Sequence, residues 1–238
     1  FFEGTAGVGQ TRLNVYENDK RIAQYRDSET GFGAFLGANI GLLGPLRLGW
    51  LQRHRYFDLD IGDPSLPTAD KRFSGWKASL DFDQFDRMHF PTRGWAAQLS
   101  LFHSPGANYA RADADVRGAY AFGGTVFNAR LRYTGSPHGN LPVYDAGTLG
   151  GFQNMTAFAP GQIIGDDIRY GAVWAEQIIG HLPLGLRGDM RVGLALEAAK
   201  VGSRYSESNR VGLIDSAALY LGGETPFGPT YVGFGYST

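Results

Sequence analysis

Five segments of the chain alternate apolar and polar residues with a period of two. In 76–83 one side reads Trp76, Ala78, Leu80, Phe82 and the other Lys77, Ser79, Asp81, Asp83. Segments 95–102, 110–120, 127–134 and 186–197 repeat the pattern, with Arg111, Asp113, Asp115 and Arg117 opposite alanines, and Arg187, Asp189 and Arg191 opposite Leu186, Gly188 and Met190. The five apolar sides carry no charged residue, whereas the opposite sides carry thirteen in twenty-three positions. A helical period would scatter those charges around the axis, so the segments read as β-strands with one dry and one polar face.

Weaker alternation predicts further strands at 11–16, 20–27, 32–43, 46–56, 168–176, 211–223 and 231–236, about twelve in all. Segment 46–56 starts well and then turns basic, and 168–176 groups Ile168, Tyr170, Ala172 and Trp174. Connections alternate between short ones (near 44–45, 86–93, 122–124, 180–185 and 224–228) and others at 57–72, 104–108, 135–165 and 199–210, of which three are long. Length gathered at one end fits an antiparallel up-and-down transmembrane β-barrel, with short turns on one side of the membrane and long loops on the other. A soluble β-sandwich or lipocalin-like barrel would point its apolar face at a packed core. Against it stand the charge at mid-strand, the small residues of the apolar faces, and aromatics such as Trp76, Trp95, Tyr120 and Tyr133 near strand ends, where an interfacial girdle would sit. The reading is one all-β outer-membrane domain over 1–238 with a long outer loop at 135–165.

Composition sharpens this. Glycine accounts for 35 of 238 residues, roughly twice the usual share of about 7%. Cysteine is absent, which removes disulfides, thiolate metal sites and a cysteine nucleophile. The net charge of -1 leaves no electrostatic footprint for nucleic acid. No run of about 18 apolar residues forms a membrane helix, and Phe1-Phe2-Glu3-Gly4 does not read as a signal peptide.

The most specific motif is Leu149-Gly150-Gly151-Phe152, continuing to Gly161-Gln162 and Gly165-Asp166. It resembles the sixth outer loop of the bacterial surface antigen superfamily, that of BamA, TamA and the two-partner secretion translocators. Phe90-Pro91-Thr92-Arg93-Gly94-Trp95 resembles the periplasmic Pro-x-x-Gly turn of the same family. The Leu-Gly-Gly-Phe form is similar to the C-terminal barrels of patatin-like phospholipases, the type Vd autotransporters. The resemblance implies a sixteen-strand barrel of which this chain holds about twelve, from the fourth (11–16) to the fifteenth (231–238). It also implies a translocator or anchor, a loop folded into the lumen, and a patatin-type hydrolase elsewhere in the full-length protein. The family loop carries an arginine where this chain has Gly150. That arginine meets an acidic residue of the wall, for which Asp189 is suitably placed, and Arg187, Arg191 or Arg130 are substitutes for the missing cation.

Chemistry within the chain is sparse. No Gly-x-Ser-x-Gly elbow occurs, and in 135–139 the serine sits in the wrong place. Of His54, His89, His103, His138 and His181, His103-Ser104 and His138-Gly139-Asn140 are adjacent polar groups at turns with no third partner and read as ordinary loop residues, and the chain reads as non-catalytic with no cofactor or metal. Asp58, Asp60 and Asp63 in one outer loop, and Asp166-Asp167, are weak cation signals against a solvated default. The lumen charges Arg111, Asp113, Asp115, Arg117, Arg130, Arg132, Arg187, Asp189 and Arg191 mix both signs. That fits cross-strand pairing, a polar conduit, or both, and argues against an ion-selective porin. Expected partners are outer-membrane lipid, a passenger domain on the same polypeptide, and a second copy of the chain. A barrel-borne lipid or peptide hydrolase and a passive pore are the alternatives.

Overall fold

The computed structural model describes residues 1–41, 44–107, 109–181, 188–210, 212–225 and 228–238. Its wall is built from β1 (Phe2–Glu17), β2 (Lys20–Asn39), β3 (Pro45–Ile61), β4 (Ala69–Asp83), β5 (Arg93–His103), β6 (Ala110–Phe122), β7 (Thr125–Gly135), β10 (Ile168–His181), β11 (Asp189–Val201), β12 (Leu213–Thr225) and β13 (Gly228–Tyr236). Each pairs antiparallel with the next in chain order, and β1 and β13 end the series. The short strands β8 (Gly147–Leu149) and β9 (Ile163–Gly165) pair with each other inside the connection from β7 to β10. This is the antiparallel up-and-down barrel wall that the alternation predicts.

The outward face is the apolar one. Leu36, Leu48, Leu131, Val173, Leu196 and Leu219 are all exposed, while the charged residues opposite them point in. A contiguous apolar belt of this extent is a lipid-facing surface.

Two expectations change. Segments 20–27 and 32–43 are not separate strands: β2 runs unbroken from Lys20 to Asn39, and 11–16 is the end of the sixteen-residue β1. Among the described residues the wall therefore has eleven strands, with two more in the loop. Polar residues at 28–30 resemble a break only if a strand must stay within the membrane. Strands β1 to β4 have 16, 20, 17 and 15 residues, whereas about 9–11 suffice to cross. They overrun the lipid at the loop-bearing end. The boundary is visible where Trp50 faces Trp76, ring centroids 5.2 Å apart. Beyond it the outward positions become His54, Tyr56, Asp58 and Asp60 on β3, and Asp70 and Arg72 on β4. The basic turn of 46–56 thus mixes outward His54 with Arg53 and Arg55, which point inward, and Asp58 and Asp60 lie on a strand rather than in a loop.

On the inner side of this overhang, Val15, Ala23, Tyr25 and Phe57 form a second apolar core with Ile164 of the loop, Tyr25 and Phe57 stacking at 4.1 Å. The first core lies deeper. Ile168 and Tyr170 of β10 point inward, against Leu149, Met155 and Ile163 of the loop, while Val173 faces out. The apolar set of 168–176 thus faces the lumen: the loop fills the space in front of it, so an inward apolar face stays dry.

Candidate functional site

The connection from β7 to β10 folds back between the walls and is held at three places. The first is its tip. Gly150 N–H donates to the Asn154 carbonyl at 2.7 Å, Gly151 N–H to Phe158 O at 2.9 Å, and Asn154 N–H to Gly151 O at 3.0 Å. Gly150 has φ +124, and a Cβ there would overlap the Ala159 carbonyl oxygen. No arginine fits at this position, because the chain folds too tightly on itself.

The wall receives the tip through Glu197 of β11. Its Oε1 accepts from Met155 N–H at 3.0 Å and Tyr170 O–H at 2.8 Å. Oε2 accepts from Thr156 N–H at 2.6 Å and Ser216 Oγ at 2.9 Å. Ser216 Oγ in turn accepts from Ala157 N–H at 3.0 Å. Glu197 is 4% exposed, so its charge is balanced by these donors rather than by water. From β7, two strands along the same wall, Arg130 donates to Gln153 O at 3.1 Å and Arg132 to Asn154 Oδ1 at 2.9 Å. Phe152 packs on Tyr220 and Tyr231, ring centroids 4.8 and 4.5 Å away.

The second hold is Asp145, at the end of a 3-10 turn (Val143–Asp145). It is the sole charged side chain in 136–165 and is fully buried. Arg53 of β3 donates to it at 3.1 and 3.3 Å, Arg111 of β6 at 3.4 Å, Tyr109 O–H at 2.6 Å, and Arg55 of β3 makes a further short contact. Burial works against the charged form, but the three guanidiniums outweigh it and hold the Asp145 carboxyl below the usual carboxylate range. Burial, with Asp145 adding to it, pushes the Tyr109 phenol up.

The third hold is the return limb. Gln162 Nε2 donates to Asp19 at 2.9 Å and Glu207 at 3.0 Å, tying the loop to the β1–β2 turn and to the segment after β11. Asp166 Oδ1 accepts from Ser203 N–H at 2.7 Å. Gly161 sits at φ +70, and a Cβ on Gly165 would meet Val201.

The turn at the opposite end also reaches inward. Asp86 accepts from Thr92 N–H at 2.8 Å, Thr92 Oγ1 at 2.5 Å and Arg93 N–H at 3.0 Å. Burial opposes its charge, yet these donors bring its carboxyl down to about 2. Gly94 has φ +114 with no room for a Cβ beside the Gln84 carbonyl. Phe90 of this turn lies 5.2 Å from the Tyr231 ring of β13 and 5.1 Å from the Arg191 guanidinium of β11. Pro91 and Gln153 line the same cavity of about 210 Å³, so turn and loop tip meet there.

The remaining lumen charges pair both along β6 and across strands. Arg111 forks onto Asp113 at 2.9 and 3.0 Å, Arg130 Nε donates to Asp115 at 3.0 Å, and Arg117 lies 3.8 Å from Asp115. Arg191 pairs with Glu176 of β10 at 3.1 Å, both buried. Asp189 is 3.8 Å from Arg191 and 3.9 Å from Arg87, so the wall acid that meets the loop is Glu197, not Asp189. Arg130 reaches the loop, Arg191 stays within the wall, and Arg187 lies outside the described residues. His54 pairs with Asp70 at 2.7 Å on the outer face of the overhang, and His103 is the last residue of β5 rather than part of a loop. Asp60 pairs with Arg26 and Asp63 accepts from Ser65 N–H at 2.9 Å.

The alternation did not single out Asp145, Arg53, Arg55, Tyr109 or Glu197. A signal existed for the first: one lone carboxylate in an otherwise uncharged thirty-residue loop.

Residues 3–237 match the family model described as the Omp85 superfamily domain. The chain belongs to the Omp85 superfamily. No curated protein matches it. Among solved structures, this Omp85 chain is similar to BamA from Haemophilus ducreyi lacking POTRA domains 1–3, with TM-score 0.78 and 13% identity over 99% of this chain and 55% of that one. It is also similar to CdiB from Acinetobacter baumannii, with TM-score 0.59 and 14% identity over 99% of this chain and 47% of the other. The chain thus spans about half the length of the structures it matches. Membership of the Omp85 superfamily places it in the Gram-negative outer membrane.

Proposed function

We propose that this Omp85 domain is the outer-membrane anchor and translocator of a patatin-like autotransporter of type Vd, non-catalytic in itself. The observation that carries the reading is the Leu149-Gly150-Gly151-Phe152 element, folded at the tip of a loop whose backbone donates to Glu197. The paired lumen charges support a polar conduit: Arg111–Asp113 and Arg130–Asp115 leave a wet interior with no single-sign ring. In this reading further strands complete a sixteen-strand wall, the hydrolase lies elsewhere on the polypeptide, and an uncovered β1 or β13 edge is met by those strands or by a second copy. His54 pairs with Asp70 on the lipid-distal outer face, and His138 is held through its carbonyl, which accepts from Ser136 Oγ and Ala110 N–H, so neither supports a barrel-wall triad.

The test uses the full-length protein in outer-membrane vesicles and this chain refolded alone in detergent. The reading expects heat-modifiable migration, ester hydrolysis by the full-length protein, and none by this chain. Ester hydrolysis by this chain alone, or steady conductance without any passenger-dependent change, contradicts it.

A further inference from the structure

Three wall arginines around Asp145 are each already satisfied before the loop arrives. Arg53 forks onto Glu29 at 2.6 and 2.8 Å, Arg55 onto Asp27 at 3.0 and 2.6 Å, and Arg111 onto Asp113 at 2.9 and 3.0 Å. A bidentate fork fixes the plane of a guanidinium. The N–H edges left over then point at a single place, where Tyr109 O–H also points. Strands β3 and β6 thereby form a preorganised receptor for one carboxylate, roofed by Phe73 and Phe102, whose rings lie 5.1 and 5.5 Å from the Arg53 guanidinium. Against it the loop offers one charge, and that charge is a carboxylate.

We propose that Arg53, Arg55, Arg111 and Tyr109 constitute a carboxylate-binding socket in the lumen wall, filled in cis by Asp145, and that this occupancy seats the loop of a chain with no loop arginine. Asp145 is a positioning residue, and the polarity of the tether is anion on the loop and cations on the wall. The argument rests on the proposed lumen loop and adds what holds it. A socket, unlike a packing contact, is specific for the chemical group and is refillable: a small carboxylate restores what truncating Asp145 removes.

These 238 residues contain no cysteine, so once any cysteine elsewhere in the full-length protein is replaced by serine a single introduced thiol reports alone. Val143, in the same 3-10 turn and packed in the second core, is replaced in the full-length protein by Val143→Cys, and its alkylation by a membrane-impermeant maleimide is timed. With Asp145 present the cysteine reacts slowly. Adding Asp145→Ala raises the rate at least about tenfold, the scale of losing charge-assisted hydrogen bonds, while the unboiled fast-migrating band persists. Sodium formate, and not sodium chloride at equal ionic strength, brings the rate back toward that of the parent. An unchanged rate in Asp145→Ala, or formate acting no better than chloride, overturns the socket. Fast alkylation with Asp145 intact overturns the seated loop itself, and so separates that failure from a failure of the socket alone.

Discussion

The loop is held at its two ends by opposite chemistry. At Asp145 the loop supplies the charge and the wall supplies cations; at the tip the wall supplies the charge, on Glu197, and the loop supplies only backbone N–H groups. The difference lies in what remains when the loop leaves. The arginines at the first end keep their forks to Glu29, Asp27 and Asp113. Glu197 would keep only Tyr170 and Ser216. The tip is thus the end whose wall depends on the loop, and the Asp145 end is the one whose wall waits for it.

The largest effect should come from the dependent side. Glu197→Ala strands Met155 N–H, Thr156 N–H and Ser216 O–H together, while Tyr170 O–H keeps Gln153 O, and should cost at least about 3 kcal/mol, at about 1–3 kcal/mol for each stranded buried donor. A fall in the temperature at which the fast-migrating folded band disappears measures it. Gly150→Ala comes next: a positive φ carries a strain of about 1–3 kcal/mol, to which the overlap with the Ala159 carbonyl adds. Limited proteolysis between 150 and 162 should then appear. Asp145→Asn should cost about 1.5–3 kcal/mol, less than the loss at Glu197, because the wall forks survive. If the order of Asp145→Asn and Glu197→Ala were reversed in the melting assay, the contrast between the two ends would be wrong. Tyr170→Phe, which loses single bonds to Glu197 and Gln153 O, should cost about 1 kcal/mol.

Acid is the gentlest probe. The Asp145 carboxyl is held below its ordinary value, so its contribution to seating is complete above the ordinary carboxylate range, near about 3.9, and is lost as pH falls through the lowered value. Labelling of Val143→Cys by 4,4′-dithiodipyridine, a disulfide that still reacts with thiols in acid, should stay slow down to about pH 4 and accelerate only below it. In Asp145→Asn that acid-dependent rise should vanish.

The wall was legible because a lipid-facing strand obeys a simple alternation, and 76–83 or 127–134 read the same in sequence and structure. Strand ends were less legible. The overhang of β1 to β4 leaves the lipid past Trp50 and Trp76, so its outward polar residues look like loops. The phase of β10 was hidden for the opposite reason: its inward face is apolar because Leu149 and Met155 cover it, and no local pattern announces a cover contributed from elsewhere in the chain. The loop motif was readable at Gly150 and Phe152, but its anchors were not. Glu197 looks like any lumen charge, and Arg53 and Arg55 looked like a strand losing its pattern. Only pairing across strands brings them to the loop.

The central claim is that the loop tip lies in the lumen with its backbone bound to the wall. Amide hydrogen exchange at Met155, Thr156 and Ala157, in the full-length protein folded in detergent, tests it most directly. The account predicts protection comparable to that of the β11 amides, dropping sharply in Glu197→Ala. Exchange at the rate of an exposed loop in the parent protein would contradict it.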